Sequence, residues 1–233
     1  MRRRGLAPAS LLLAFATLAL AEEPPRAEYA ARWDPARGGP RTAEEAASVL
    51  GTPAGTRRSC EVLYYDVPAL RSSPAGAAVI LRRRSCDDGK AEIRLKFRSA
   101  HPLERPACPA GVSFHEESEV DVGFGEGSPS RTYAFACTLP AAEPPAFLHA
   151  VPKPCASRMT RSEARGHGAP WKIEDWTLPD GSRRLEISRS SANDVDALAA
   201  FEAVVERLRV NGARLLDESK TELGSRCPAA SAR

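Results

Sequence analysis

Two neighbouring stretches of this chain carry charge at every second residue, and a tight turn separates them. In Ala77–Ser85, Arg82 and Arg84 fall on one face of an extended chain, and Val79, Leu81 and Arg83 on the other. In Lys90–Arg98, Glu92, Arg94, Lys96 and Arg98 share a face, opposite Ile93, Leu95 and Phe97. A period of two is the side-chain geometry of a β-strand. Asp88-Gly89 between the stretches is a hairpin signal. The pair therefore reads as a hairpin whose basic faces form one cationic surface. That surface is either the solvated outside of a half-exposed sheet, a common fate of alternating strands, or the lining of a closed barrel that binds a polyanion. Arg supplies a planar fork for phosphate oxygens and Lys a point charge. Turned inward, such a cluster needs anions nearby or it repels itself.

Acidic partners exist. Glu117, Glu119 and Asp121 alternate opposite Val120 and Val122, Glu186 and Ser188 share a face opposite Leu185 and Ile187, and Glu28 lies on a face with Arg32. Carboxylates that converge can hold a hard cation such as Mg²⁺ or Mn²⁺, which bridges phosphate oxygens. Taken singly, each run is equally well a charged outer face.

The first 21 residues read as a secretory signal peptide. Arg2, Arg3 and Arg4 form a positive start, Leu11–Leu20 is apolar but short for a bilayer span, and Ala19-Leu20-Ala21 is a small-x-small cleavage site. The rival reading is an uncleaved anchor. No Cys follows the apolar run, so a lipid anchor is not indicated. Cleavage would leave residues 22–233 and remove three Arg, bringing the formal charge from +3 to about zero. A neutral total argues against a nonspecific nucleic-acid binder. The expected address is periplasmic or secreted. All six Cys lie beyond the signal, and an even count in an exported chain reads as up to three disulfides. Zinc is the weaker alternative, since there is no Cys-x-x-Cys and the four His are scattered. Cys60 and Cys86 sit just outside two strands expected to pair, so they can bridge the open end of a hairpin.

The rest of the chain is β-rich. Residues 22–27 read as a leader, and 28–33 and 61–66 as strands. Residues 114–122 and 132–138 read as two more, and 171–178 and 182–188 as a second hairpin around Asp180-Gly181. Thr42-Ala-Glu-Glu45 is a capping box for a short helix over 43–50. Residues 194–210 form the clearest helix, with Leu198, Phe201, Val205 and Leu208 as one apolar stripe closed by Gly212. The Pro-rich stretch at about 139–170 reads as irregular, a lid or an ordered loop. The count is about eight strands and two helices in one domain. No phosphate loop, dinucleotide fingerprint or nucleophile elbow is present. His101, His115, His149 and His167 lie in or near loops and support no hydrolase triad. Trp171 and Trp176 read as packing residues.

Several of these segments together resemble the CYTH or triphosphate tunnel family, which includes the unusual class of adenylate cyclases and the thiamine triphosphatases. The resemblance lies in Tyr64-Tyr-Asp-Val-Pro-Ala-Leu-Arg71, Gly76-Ala-Ala-Val-Ile-Leu-Arg-Arg-Arg84 and Glu92-Ile-Arg-Leu-Lys-Phe-Arg98. It continues in Asp180-Gly181, Leu185-Glu-Ile-Ser188, the long helix and Ser219-Lys220-Thr221. It implies an eight-stranded antiparallel tunnel that binds a triphosphate and a divalent metal, Mg²⁺ or Mn²⁺. It further implies Arg32, Arg82, Arg84, Arg94, Lys96 and Arg98 as ligand-binding residues, and Glu28, Glu117, Glu119 and Glu186 as metal ligands. The departures fall on the metal side. Glu28-Tyr-Ala-Ala-Arg32 stands where the family has Glu-x-Glu-x-Lys, Ile80 replaces an Arg, and Ser188 stands where a second Glu is expected. Losing metal ligands weakens metal affinity and charge neutralisation more than anion binding. The expectation is an exported domain that binds a phosphorylated or polyanionic ligand, and whether metal-dependent triphosphate or polyphosphate hydrolysis survives the altered metal side stays open. The alternative is a noncatalytic, envelope-associated binding module on the same scaffold.

Overall fold

The computed structural model describes residues 26–70, 76–103, 108–165 and 170–229. The expected signal peptide lies outside the described residues, as do most of the leader, Arg71 and His167. Among the described residues, no helix is long and apolar enough to cross a membrane.

Nine strands close into a barrel. In chain order they are β1 (Arg26–Trp33), β2 (Arg57–Asp66), β3 (Ala78–Cys86), β4 (Ala91–Ser99), β5 (His115–Phe124), β6 (Ser130–Leu139), β7 (Val151–Ala164), β8 (Trp171–Thr177) and β9 (Arg183–Ala192). Around the barrel they run β1-β5-β6-β4-β3-β2-β7-β8-β9, with β9 returning to β1. The eight-stranded antiparallel tunnel is therefore corrected to a mixed barrel of nine strands. Alternating directions cannot close on an odd number, so one neighbouring pair must be parallel. That pair is β1–β5.

The ninth strand is the one the sequence hid. Residues 139–170, expected to be irregular, contain β7, which at 14 residues is the longest strand described. Pro152 and Pro154 disguised it. Proline removes a ladder donor and is tolerated where one side of a strand is unpaired. The first half of β7 meets that condition. It pairs with β2 as far back as Val151, but its pairing with β8 begins only at Arg158. The register against β2 also slips between Leu63 and Tyr65.

Among the described residues, two α-helices flank the barrel and a third, short one packs into the lumen. The helix α1 (Ala43–Val49) starts where Thr42 Oγ1 accepts from the Glu45 amide at 3.2 Å. In α2 (Val195–Val210), Asp194 caps the first turn, and Phe201, Val204, Val205 and Leu208 form the buried stripe. The short α3 (Lys220–Gly224) was not anticipated, although Ser219 and Glu222 make a full capping box there. Gly39 lies against Ala213, where a Cβ would come within 2.7 Å of that residue, so the turn after β1 can meet the end of α2 only through glycine.

Packing decides which way the alternating strands face. Leu81, Ile93, Leu95 and Phe97 point outward into a layer completed by Phe135, Cys137 and Leu148. On the opposite wall Tyr29, Phe124 and Trp171 stack around Phe201 of α2. With the apolar faces covered from outside, the charged faces turn inward. Part of the interior is nevertheless apolar. Val62, Tyr64, Met159, Trp176 and Leu223 fill one side of the lumen together with Cys60.

Three disulfides form, Cys60–Cys86, Cys108–Cys137 and Cys155–Cys227, of which the first is the pairing expected from the sequence. The first joins residues directly opposite each other in the β2–β3 ladder, at its open end. Three closed disulfides fit an oxidising compartment.

Candidate functional site: a charged tunnel

The inward faces of β1, β3, β4 and β5, with the segment leading into α3, enclose a cavity of about 490 Å³. It contains Arg32, Arg82, Arg84, Arg94, Lys96 and Arg98, all six cations singled out from the sequence, together with Glu28, Glu117 and Glu119. Glu186 does not line it. That carboxylate is on the same inner face as its cross-strand partner Arg32 but is buried beneath the lining, with Arg32 Nε at 2.5 Å and Lys220 Nζ at 2.9 Å.

One wall is an ion ladder between strands that are not neighbours. Arg94 reaches Glu117 and Glu119 at 3.2 and 3.1 Å. Lys96 contacts Glu119 and also lies 2.9 Å from Asp121, and Arg98 lies 2.8 Å from Asp121. Between β4 and β5 runs β6, and the β6 residues opposite Lys96 and Arg98 are Ala136 and Ala134. Two methyl groups leave room for the longer side chains to meet above them. Burial pushes the Asp121 carboxyl upward, but Lys96 and Arg98 outweigh it and hold it below 3.8.

The floor is built from residues to which the sequence pattern assigns no role. Glu174 on β8 is fully buried and accepts from Arg161 Nε at 2.9 Å, Trp176 Nε1 at 3.0 Å and Lys220 Nζ at 3.1 Å. Lys220 thus bridges two buried carboxylates. Burial alone would raise the Glu174 carboxyl, yet Lys220, Arg161 and Arg84 hold it well below 4.5. For Glu28 burial is likewise outweighed, here by Lys220, Lys172 and Lys96, and the group stays well below 4.5. Asp121 was visible in its acidic run, and Glu174 alternates with Lys172 in an expected strand. Arg161 was lost with β7. Lys220 had no periodic neighbours to mark it.

In the third region cations outnumber anions. The Arg82 side chain makes no hydrogen bond or ion pair among the described residues. The next inward residue, Arg84, is 5% exposed. Its Nη1 lies 3.3 Å from Glu92, while Nε and Nη2 are buried without a partner. Burial first, then Arg82 and Arg161, lower the Arg84 guanidinium from 12.5 to about 10. Orphaned charged donors of this kind are costly and rare in native interiors.

The metal expectation meets an obstacle. Glu28, Glu119 and Asp121 each offer an oxygen within 4.8 Å of the others. Glu117 and Glu186, also expected as ligands, are not in that group. Lys96 already contacts both Glu119 and Asp121, and Arg94 and Arg98 share them. A divalent ion would have to displace an ammonium that satisfies two of its three carboxylates. At the middle carboxylate position of the family motif, Ala30 lines the cavity. Ser188 is buried with its hydroxyl unpartnered. As arranged, these residues do not fit a resident divalent ion.

No protein-family model and no curated protein matches the chain. Solved structures similar to it include the PH1012 protein of Pyrococcus horikoshii, at 14% identity and TM-score 0.49, covering 84% of this chain and 98% of that one. A conserved hypothetical protein of Pyrococcus furiosus is 12% identical, with TM-score 0.47 and coverage of 84% and 99%. A protein of Vibrio parahaemolyticus, provisionally described as an adenylate cyclase, is 13% identical, with TM-score 0.47 and coverage of 85% and 98%. At these identities the likeness concerns the path of the backbone, not what this chain binds.

Proposed function

We propose that this chain is an exported, CYTH-like domain that binds a phosphorylated or other anionic ligand in its charged tunnel, and that it acts by binding. One observation carries the reading: a desolvated guanidinium, Arg84, keeps two donors unpartnered beside an unpaired Arg82 in the cavity lining. An oxyanion would accept from those donors and relieve the repulsion between neighbouring cations. The three disulfides support the exported address.

A second reading, metal-dependent hydrolysis of triphosphate or polyphosphate, is favoured by the convergence of Glu28, Glu119 and Asp121. Lys96 in their midst weighs against it. Thermal-shift measurements with phosphate, nucleotides and polyphosphates, each with and without Mg²⁺ or Mn²⁺, are paired with phosphate-release assays. Stabilisation by anions without metal and without turnover is the expected result. Phosphate release that depends on added metal would replace the binding reading with the hydrolytic one. No stabilisation by any of the ligands would remove both.

A further inference from the structure

The charges that line the cavity nearly cancel. Nine cationic side chains face seven carboxylates, and Glu174 and Glu186, buried beneath the lining, bring the acids to nine among the described residues. Almost every cation is already engaged. Arg94, Lys96 and Arg98 are held by the carboxylates of β5. Arg32, Arg161 and Lys220 are held by Glu186 and Glu174. Lys172 lies 3.5 Å from Glu28. What remains is Arg82, the Nε–Nη2 edge of Arg84 and a lone Nε of Arg98, whose guanidinium charge Asp121 already meets. The same edge of Arg161 grips Glu174, at 2.9 and 2.5 Å. An arginine edge of this kind takes two oxygens of one planar or tetrahedral group.

From this balance we infer that the tunnel takes a single tetrahedral oxyanion group of one or two charges, a phosphate monoester or a sulfate, and discriminates against polyphosphates. The inference rests on the anion-binding reading above and narrows its ligand class. A triphosphate would have to draw several cations away from their own carboxylates. Glu119 and Asp121 would then be left unpaired in a confined site, and stranding a buried charge costs more than the new pairs return. One oxyanion at Arg82 and Arg84 disturbs no existing pair. It also compensates the site where burial and like charges lower the Arg84 guanidinium.

The test is calorimetric titration of the oxidised full chain at fixed ionic strength without metal. The probes are inorganic phosphate, sulfate, phenyl phosphate and tripolyphosphate. The first three are expected to bind one site with dissociation constants within about tenfold of one another, and tripolyphosphate no more tightly than phosphate. Arg82→Gln should weaken all of them by about tenfold or more with the thermal midpoint unchanged, because Arg82 has no partner to lose. Glu117→Gln removes a half-exposed carboxylate at Arg94 and should shift preference several-fold towards tripolyphosphate. Tripolyphosphate binding about a hundredfold more tightly than phosphate in the unaltered chain would overturn the inference and leave the anion-binding reading standing. No binding of any probe would overturn both. Undiminished binding by Arg82→Gln would overturn the assignment of the anion to this pair.

Discussion

A single ammonium group satisfies two buried carboxylates in this barrel. Lys220 Nζ lies 3.1 Å from Glu174 and 2.9 Å from Glu186, and both acids are almost wholly sequestered from solvent. Removing one member of a buried ion cluster strands the others, whereas exposed pairs contribute little. Lys220→Met should therefore cost about 3–5 kcal/mol of stability, read from urea denaturation. Charge reversal at the exposed pair Arg226–Glu218 should change stability by less than about 1 kcal/mol. A loss of under about 1 kcal/mol in Lys220→Met would mean that Arg161 and Arg32 satisfy the two acids unaided. Arg82 and Arg84 show the opposite economy. The Arg82 side chain has no ion-pair partner, and Arg84, although it meets Glu92, keeps two buried donors unpartnered.

The elements explain why these side chains can meet. Interposing β6 between β4 and β5, with Ala134 and Ala136 facing inward, converts two charged strands into one neutral wall. The C-terminal segment reaches the lumen because several contacts guide it: a bridge from Leu215 to Trp33, a bond from the Leu216 amide to the Arg32 carbonyl at 2.8 Å, and Cys155–Cys227 beyond α3. That disulfide closes a separation of 72 residues, and cross-links over long loops constrain the unfolded chain most. Replacing Cys155 and Cys227 together by Ser should lower stability by about 2–4 kcal/mol. Because Lys220 lies seven residues before Cys227, the same variant should loosen α3. Amide exchange at Lys220–Gly224 should then exceed that of the α2 interior. Unchanged protection there would show that capping and Lys220 hold α3 without the cross-link.

Over the whole molecule, the buried network makes stability a function of pH. Glu174, Glu28 and Asp121 all have folded values depressed below their ordinary ones of 4.5, 4.5 and 3.8. Depressed carboxyls contribute stability that is complete above the unfolded value and drains away as pH falls towards the folded one. Lys220 is raised above 10.5, so its contribution is complete below that value and is lost above the folded one. The expected profile of denaturation midpoint against pH is flat between about pH 6 and 9 and falls below about pH 4.5. A midpoint at about pH 3 equal to that at pH 7 would show that these carboxyls gain nothing from their partners in the folded state.

The alternation in Ala77–Arg98 and Glu117–Asp121, the capping signals and the even cysteine count were enough to place most strands, the two longer helices, the Cys60–Cys86 bridge and most tunnel cations. Local signals of period two or four depend on neighbouring residues alone, so they survive in the bare chain. The ninth strand escaped because proline obscures pairing that only one side of β7 makes. Glu174, Arg161 and Lys220 carried no role in the sequence because they come from β8, β7 and α3 and acquire meaning only where these converge. The same holds for which cations remain unpaired. The sequence showed that positive and negative runs exist, but charge neutralisation depends on distance across the barrel. That distance was settled by the strand order β5-β6-β4 and by the entry of the C-terminal segment into the lumen.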